Sequence, residues 1–285
     1  MTDARPWLAR RHHPPGVTPL EVWNLPVLGQ EFWELAGAVR VDATRRAGVP
    51  EPLLTTRLVA TVQAALELLV RQHAPDAVYL SGGLACLEGF NAELARVTTA
   101  LPCAVHVAEA PRFAPVHAGL AVLQSLSARA PLSVDVGQTS IKCASPHVSW
   151  LVERSPVTLP WLFIGMPRPK DGHHLAAAVR FIAGTMHTFI ETNAEAPDAL
   201  CLALPCPLDE ALRPGGCTYG WEGHASLITD IVTQAGLPMS GGTVWVLNDA
   251  ELAAESARRD ARVKGRKVLC LTLGFGPGGA LLERT

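Results

Sequence analysis

The amino-acid sequence predicts a mixed α/β protein. Short apolar runs alternate along the chain with amphipathic segments of helical period, and several of the apolar runs end in glycine-rich turns. The chain of 285 residues is 48% apolar, which is enough to fill one large core or two smaller ones. We therefore expect a folded globular chain with one or two α/β lobes.

The charge and composition of the chain argue against two classes of partner, nucleic acid and membranes. The 24 basic and 26 acidic residues leave a net charge of -2, and such a balance gives no broad attraction for nucleic acid or an anionic membrane. The longest apolar runs are too short to span a bilayer, and the first residues lack the apolar stretch of a signal peptide. The sequence thus predicts a cytoplasmic protein that binds neither nucleic acid nor membrane.

The seven cysteines are an odd number and show no paired metal-ligand spacing. Most of them lie inside apolar runs or beside proline and glycine. They are therefore predicted to be reduced thiols that are mostly buried.

The first 50 residues are rich in proline and tryptophan, and they are predicted as loops and short strands. Within them, the basic cluster "RRHH" at residues 10–13 is interpreted as a solvated loop. A long helix is predicted next, because apolar residues recur at helical spacing over residues 58–70. Pro75 ends this pattern.

The following segments alternate regularly. The stretch "DAVYLSGG" is predicted as a buried strand that ends in a glycine turn, "LEGFNAELARVTTAL" as a helix, "CAVHVAE" as a strand and "APVHAGLAVLQSLSA" as a helix. Antiparallel strands are predicted for "LSVDVGQTSIKCAS" and "VSWLVERS", with further α/β alternation up to "AELAAESARRDARV". The last stretch, "RKVLCLTLGFGPGGALLERT", is predicted as two strands, and the second has to pair with an earlier part of the chain.

Three glycine turns at predicted strand ends carry the first chemical signal. In one of them, Asp135, Gly137 and Thr139 place a metal-directed carboxylate beside backbone N–H groups and a hydroxyl suited to phosphate oxygens. The second turn contains Gly274, Gly276, Gly278 and Gly279, and the third contains Ser81, Gly82 and Gly83. Each alone is also explained as an ordinary turn, but three in one α/β chain favour anion binding.

Asn248 and Asp249 lie where a predicted strand gives way to a helix. As a structural pair they are an ordinary helix N-cap. As a chemical pair they place a carboxylate at a strand end, where it is able to take the proton of an attacking hydroxyl in phosphoryl transfer. Spacing alone leaves both interpretations open.

The order of these motifs resembles the sugar kinase, actin and heat-shock ATPase superfamily, and within it the ROK family (repressors, open reading frames and sugar kinases). The matching stretches are "DVGQTSIK" for the family's Asp-x-Gly-x-Thr hairpin, "LALPCPLDE", "YGWEGHASL", "NDAELAAESA" for its Asn-Asp-Ala motif and "LGFGPGG" for its second phosphate turn. The adenosine-like "VYLSGG" and the helix "APVHAGLAVL" come first in this chain, whereas the family has them last. The resemblance covers nearly the whole chain and is weak over residues 1–50.

This rotated order resembles a circularly permuted form of the two-lobe, ribonuclease H-like fold of actin-like ATPases. On this interpretation, residues 1–130 form most of the second lobe, on the adenosine side. Residues 131–262 form the first lobe, with the first phosphate hairpin and the catalytic aspartate, and residues 263–285 complete the second lobe. Asp135, Asp249 and Gly276 are then expected to face one cleft, with Gly82 across it.

The resemblance implies a role for each matching residue. Asp249 resembles the family's catalytic base, and Asp135 resembles its carboxylate near Mg²⁺. The residues implied in ATP binding are Gly137, Gln138, Thr139, Lys142, Gly274, Gly276, Gly278, Gly82 and Gly83. Those implied in sugar binding are Asn248, Glu21, Glu31 and His224.

The sequence also departs from the family pattern. Trp23 and Asn24 stand where the family has the Gly and His of a Glu-x-Gly-His motif, and the zinc-binding cysteine cluster is missing, so no structural zinc is expected. Phe275 replaces the threonine of the second phosphate turn, which removes a hydrogen bond of about 1 kcal/mol. Cys206 stands in place of the glycine before the second proline of "LPCP". These departures indicate an altered sugar pocket.

Three functions remain open at this point. The resemblance favours an ATP-dependent carbohydrate kinase that uses Mg²⁺ and transfers the γ-phosphoryl group to a hydroxyl of a sugar or sugar-like small molecule. A non-catalytic sensor or regulator of the same fold fits the lost motifs. Polyphosphate is a third option as donor, although no basic run would hold such a polyanion. The acceptor and the oligomeric state are undetermined, with a homodimer among the options.

Overall fold

The computed structural model of the chain describes residues 6–22, 24–28, 32–36, 51–162, 172–193, 196–237 and 241–284. These residues form two compact units. Unit 1 contains the described residues up to His13 together with Val116–Leu252. Unit 2 contains those within Pro14–Pro115 and Ala253–Thr285.

Strands and helices alternate along the described chain. The strands are β1 (Leu8–Arg11), β2 (Val17–Leu20), β3 (Ala77–Ser81), β4 (Ala104–Val107), β5 (Pro131–Val136), β6 (Ser140–Ala144), β7 (Ser149–Glu153), β8 (Ala199–Leu204), β9 (Thr243–Asn248), β10 (Val268–Thr272) and β11 (Gly278–Leu282). The helices are α1 (Glu51–His73), α2 (Phe90–Val97), α3 (Ala114–Ser125), α4 (His173–Asn193), α5 (Leu227–Gln234) and α6 (Asp249–Arg259), with 3₁₀ turns at Pro26–Leu28 and Gly83–Cys86. The predicted mixed α/β class is confirmed, and α1 ends two residues before Pro75.

A six-stranded mixed sheet forms the centre of unit 1, in the order β1-β9-β8-β5-β6-β7. β5, β6 and β7 are antiparallel neighbours, whereas β5, β8, β9 and β1 run parallel. β5 is buried along its whole length, as expected for a central strand that is covered on both faces. The carboxyl ends of β5, β8 and β9 therefore lie at one edge of this sheet.

Apolar clusters cover both faces of the unit 1 sheet. On one face, α4 and α5 contribute Ile182, Phe189 and Ile231. A smaller cluster includes Leu123 of α3 and Leu252 of α6. Alternate residues of β8 enter the two clusters, which places the clusters on opposite faces of the sheet.

The N-terminal strand β1 corrects the interpretation of residues 10–13 as a solvated loop. Residues 8–11 pair in parallel with β9. Arg10 and His13 are exposed, but the Arg11 side chain is only 9% exposed and forms an ion pair with Glu251. The basic run does not by itself predict this ion pair, because Glu251 lies far along the chain and neutralises only Arg11.

Unit 2 contains a second mixed sheet, in the order β2-β11-β10-β3-β4. β10, β3 and β4 run parallel, and β11 is antiparallel to both β10 and β2. The prediction that the last strand pairs with an earlier segment is thus confirmed. Helices α1 and α2 pack together, and α1 buries Leu58, Val62 and Leu66 in the core of this unit.

The five strands of the unit 2 sheet match five of the six strands of the unit 1 sheet in order and direction, and β1 has no counterpart. The series that starts from the sheet of unit 1 follows along the chain as β5, β6, β7, α4, β8, α5, β9 and α6, and most of α6 lies in unit 2. The matching series that starts from the sheet of unit 2 is β10, β11, β2, α1, β3, α2, β4 and α3, so its first two strands come last in the chain, and most of α3 lies in unit 1. Leu282 of β11 pairs with Val17 of β2, and the Glu283 N–H donates to the Gly16 carbonyl at 2.8 Å.

The limits of the units differ from the sequence-based boundaries of 1–130, 131–262 and 263–285. Strand β1 belongs to the sheet of unit 1. The other divisions fall inside helices, between Pro115 and Val116 of α3 and between Leu252 and Ala253 of α6. A continuous helix leaves no loop or change of composition that would mark such a boundary in the sequence.

Helix α1 is long and apolar enough to cross a membrane by length and composition, over Leu53–His73, and it is the one such helix in the described part of the chain. Half of that apolar stretch is buried. Leu58, Val59 and Leu66 have no exposed surface at all. The apolar face of α1 therefore belongs to the core of unit 2.

The cysteines are free thiols. Four of the seven are buried, namely Cys143, Cys201, Cys206 and Cys270. The prediction that most of them are buried is thus confirmed.

Gly119 in α3 and Gly184 in α4 are a matched pair of helical glycines. A Cβ at Gly119 would clash with the Ser133 side chain and lie 2.9 Å from Cys201 Sγ, whereas nothing lies within 4 Å of a Cβ at Gly184. We expect Gly119→Ala to lower the free energy of unfolding by about 1 to 3 kcal/mol through overpacking. Gly184→Ala should raise it by about 0.5 to 1 kcal/mol through helix propensity. Urea denaturation measures both, and equal effects would contradict this packing of α3.

Candidate active site

The ends of three parallel strands form the candidate active site of unit 1. Since β5, β8 and β9 are neighbours in the sheet, the segments that follow them share one edge. Two side-chain amides tie these segments together. Gln138 Nε2 donates to the Pro205 carbonyl at 3.1 Å, and Asn248 Nδ2 donates to the Cys206 carbonyl at 2.8 Å. The edge is therefore cross-linked by neutral hydrogen bonds.

Asp135 and Lys142 form an ion pair at this edge. They lie opposite each other on β5 and β6, and Lys142 Nζ is 3.1 Å from Asp135 Oδ2. Both side chains are largely buried, with exposed fractions of 9% and 12%. A Cβ at Gly137 would lie 2.9 Å from Lys142 Nζ, so the glycine leaves room for the ammonium group.

Asp249 lies at the same edge and is the most perturbed carboxyl group of the site. Burial raises its pKa from 3.8 to about 7, and the negative charge of Asp135 adds to the rise. Lys142 opposes both effects. The ammonium group of Lys142 thus lies near two carboxyl groups, those of Asp135 and Asp249. Asp249 therefore gains or loses its proton close to neutral pH.

Asn248 caps helix α6 through a reciprocal pair of hydrogen bonds. Its Oδ1 accepts from the Ala250 N–H at 2.9 Å, while its own backbone N–H donates to Glu251 Oε2 at 2.8 Å. This is a capping box, in which the third residue of the helix reaches back to the cap. Asn248 is thus the N-cap of this helix, as one interpretation of the sequence predicted. The capping hydrogen bonds do not use the carboxyl group of Asp249, which leaves it available for chemistry.

A buried arginine supports the turn between β5 and β6. Arg154 donates hydrogen bonds to the carbonyl oxygens of Gln138, Leu159, Pro160 and Thr218 and to Thr218 Oγ1. Its guanidinium lies 4.0 Å from the centroid of the Tyr219 ring. None of these acceptors is a carboxylate, and burial lowers the pKa of Arg154. The hydrogen bonds compensate the loss of water around the cation.

Sequence reasoning missed Arg154, Thr218 and Tyr219. Thr218 donates from its backbone N–H and its hydroxyl to Gln138 Oε1, at 3.2 and 2.5 Å. Tyr219 donates from its hydroxyl to the Gly137 carbonyl at 2.9 Å. No periodic pattern marks these residues, and the one available signal was the resemblance of "YGWEGHASL" to a family motif. The Gln138 carboxamide, which that resemblance assigned to ATP, is thus engaged by Thr218 and Pro205.

The predicted sugar ligands are spread over the chain. Asn248 lies at the edge described above. His224 lies in unit 1 beside Asp230 of α5, with Nε2 3.0 Å from Asp230 Oδ2. Glu21 is exposed in unit 2 and accepts a hydrogen bond from Asn24. Glu31 lies outside the described residues.

The two glycine turns of unit 2 lie side by side, after the parallel strands β3 and β10. Gly82 has a φ of +96°, and a Cβ there would lie 2.5 Å from the Leu273 carbonyl oxygen. Only glycine permits this approach. Gly274 follows Leu273 directly, so Gly82 and Gly83 are brought next to the turn that contains Gly274 and Gly276.

The oxygen donors at the unit 1 edge fit Mg²⁺ in the presence of a phosphate compound. Mg²⁺ prefers carboxylate oxygens and is commonly held by one or two of them together with substrate phosphates. Asp135 and Asp249 supply such oxygens. Within the described ranges, no three or more His, Cys, Asp or Glu side chains are grouped closely enough for a metal site built from protein alone.

No family model matches the chain, and no curated protein matches it. Among solved structures, the chain is similar to a candidate N-acetylmannosamine kinase from Listeria monocytogenes, with 20% identity and a TM-score of 0.35, over 54% of this chain and 47% of that one. It is also similar to a Ppx/GppA phosphatase from Aquifex aeolicus, with 15% identity and a TM-score of 0.38, over 57% of this chain and 55% of that one. A second Ppx/GppA family structure from the same organism shows 14% identity and a TM-score of 0.34, over 56% of this chain and 54% of that one. The chain spans about half the length of these structures.

The raised pKa of Asp249 predicts a pH-dependent effect of Asp249→Asn. Between about pH 4 and 7 the folded protein holds a proton on Asp249 that the unfolded chain releases, so this group's contribution to stability falls steadily over that range and is fully lost above about pH 7. The variant lacks this loss, so at pH 8 it should be more stable than the parent by about 1 to 3 kcal/mol. At pH 4 the two should be nearly equal. Parallel pH profiles in urea denaturation would contradict the raised pKa.

Proposed function

We propose that this protein is an ATP-dependent kinase that transfers the γ-phosphoryl group to a hydroxyl of a sugar or sugar-like small molecule. One observation carries the proposal. Asp249, a carboxyl group with a pKa of about 7, lies at a strand edge beside the Asp135–Lys142 pair. A general base with a pKa near the working pH is what proton removal from a hydroxyl requires.

In the proposed reaction, the Asp249 carboxylate accepts the proton of the acceptor hydroxyl. The hydroxyl oxygen then forms a bond to the γ-phosphorus as the bond between that phosphorus and the ADP oxygen breaks. Lys142 and the backbone N–H group of Thr139 hold phosphate oxygens, while the Gly137 N–H donates to the Ser140 carbonyl and closes the hairpin. Asp135 holds Mg²⁺, which neutralises charge on the phosphate oxygens when it is bound.

Unit 2 is proposed to contribute the nucleotide-binding turns. Gly82 and Gly83 would contact the adenosine, and Gly274, Gly276 and Gly278 would hold phosphate oxygens. The side-by-side position of these turns in unit 2 supports this assignment, since glycine lets a backbone approach a ligand closely. The expected cleft that Asp135, Asp249 and Gly276 face remains a prediction.

We further propose the actin-like ATPase fold of the ROK family, in a circularly permuted order. The support is internal to the chain, because the five strands of the unit 2 sheet match β7, β6, β5, β8 and β9 of unit 1 once β10 and β11 are read before β2. The pairing of Leu282 with Val17 puts the end of β11 where a short hairpin would lead into β2. A cytoplasmic location, a small-molecule acceptor and the absence of nucleic-acid and membrane partners are part of the same proposal.

A sensor or regulator that binds a ligand without turnover is the second candidate. It is favoured by Phe275, which replaces a threonine in the phosphate turn and is 4% exposed. Its ring packs edge to face against Trp33, with centroids 5.6 Å apart. Here the side chain serves the core of unit 2 rather than a phosphate.

ATP consumption over a panel of sugars and sugar alcohols tests the proposed kinase. We expect at least one acceptor to support Mg²⁺-dependent ADP formation, and Asp249→Asn to lower turnover by about 10²- to 10⁴-fold through loss of the base. Nucleotide binding, measured by calorimetry, should change little. Glu210→Gln is the control, since it removes an exposed carboxylate of unit 1. Turnover that is unchanged in Asp249→Asn would remove its assignment, and thermal stabilisation by a ligand without any turnover would favour the sensor.

The permuted order is tested by a rearranged chain. Residues 126, 127 and 129 between α3 and β5 are exposed, so new ends at Pro131 should be tolerated. We expect a chain that runs from Pro131 to Thr285, and then through a flexible linker of about ten residues to residues 6–130, to unfold cooperatively with native-like circular dichroism. A control opened at Leu202, inside the buried strand β8, should not fold. Failure of the Pro131 form with two linker lengths would contradict the proposal.

A further inference from the structure

A buried ion pair lies two residues from Asp249 and takes no part in the proposed reaction. Arg11 Nη2 is 2.7 Å from Glu251 Oε1, and the side chains are 9% and 3% exposed. Buried pairs of this kind are sensitive to the removal of one partner, because the remaining charge is then left without compensation.

Glu251 connects this pair to the start of helix α6. While Oε1 contacts Arg11, Oε2 accepts the backbone N–H of Asn248 at 2.8 Å. Asn248 in turn accepts the Ala250 N–H through its side chain. Both oxygens of Glu251 are thus held, and the backbone on either side of Asp249 is fixed by hydrogen bonds.

Arg11 is itself fixed on strand β1. It lies opposite Val246 in the parallel pairing of β1 with β9, and its Nη1 donates to the carbonyl oxygens of His12 and Val246 at 2.7 and 3.2 Å. The guanidinium therefore joins three elements of unit 1: β1, the end of β9 and the first turn of α6. This planar group with several donors suits such a junction better than an ammonium group.

We infer that Arg11 is a positioning residue, which sets the geometry of the Asn248–Asp249 turn by holding Glu251 in the capping box. Arg11 does not touch the reacting atoms. It acts through Glu251, and its effect on turnover rests on the proposed role of Asp249. The strand β1 thereby becomes part of the site, although it lies far away in the sequence.

Amide hydrogen exchange of the ligand-free protein, followed by NMR, tests the inference without reference to any activity. In Arg11→Ala the Asn248 and Ala250 amides should exchange about tenfold faster, because a charge-assisted hydrogen bond that orders their acceptors is lost. Arg10→Ala is the matched control, since Arg10 is exposed on the same strand. It should leave both amides unchanged. Unchanged exchange in Arg11→Ala would overturn the inference.

Two further variants keep the test decisive if Arg11→Ala fails to fold. Glu251→Gln removes the charge and keeps an oxygen for the Asn248 N–H, and Arg11→Lys keeps the charge and loses the planar fork. Both should speed exchange at Asn248 relative to the parent protein, and exchange at the parent's rate in both variants would overturn the positioning role.

Turnover supplies the second readout. With an accepted sugar, Arg11→Ala should lower kcat about tenfold and leave the KM for ATP unchanged, with partial rescue in Arg11→Lys. Equal losses in Arg11→Ala and Arg10→Ala would overturn the positioning role. If the parent protein shows no turnover with any acceptor, the proposed function fails, while the exchange measurements still decide the role of Arg11.

Discussion

Two carboxyl groups compete for one ammonium group at the edge of the unit 1 sheet, and the chemistry of the site depends on this imbalance. Asp135 and Lys142 neutralise each other across β5 and β6. Asp249 then faces a site in which burial and a neighbouring negative charge both oppose its ionisation. Such a group keeps a proton at mildly acidic pH and releases it near neutrality. The proposed base therefore owes its raised pKa first to burial and second to the negative charge of Asp135.

The rest of the edge is held by hydrogen bonds that add no further carboxylate. Gln138 and Asn248 donate from neutral amides to backbone carbonyls, and Arg154 donates to carbonyl and hydroxyl oxygens. A carboxylate as the partner of Arg154 would cancel its charge. With carbonyl partners, the positive charge remains behind the turn at Gly137, which favours a phosphate anion at that turn. The same hydrogen bonds thus hold the turn in place and leave the guanidinium charge without a carboxylate among these acceptors.

The alternation of elements was predictable, because each helix and strand has its own local period and its own terminating residues. The identity of Asp135 and Asn248–Asp249 as strand-end residues was predictable for the same reason. Arg154 and the pairing of Arg11 with Glu251 were not, since each depends on contacts between segments that are distant in sequence. The unit limits inside α3 and α6 could not be predicted either, because the sequence of a continuous helix does not mark a boundary.

The two units share a topology but differ in chemistry. In unit 1, β5 and β6 bring Asp135 and Lys142 to the sheet edge, whereas β3, β10 and β11 of unit 2 contain no acidic or basic residue. The unit 2 edge instead offers Gly82, which lies against the Leu273 backbone, and the buried Ser81 hydroxyl, which has no hydrogen-bond partner among the described residues. Charged groups suit proton transfer and metal binding, while glycine and an unpaired hydroxyl suit close contact with a neutral or anionic ligand. The two sheet edges therefore differ in kind: the unit 1 edge carries paired charged groups, and the unit 2 edge carries glycine and a hydroxyl.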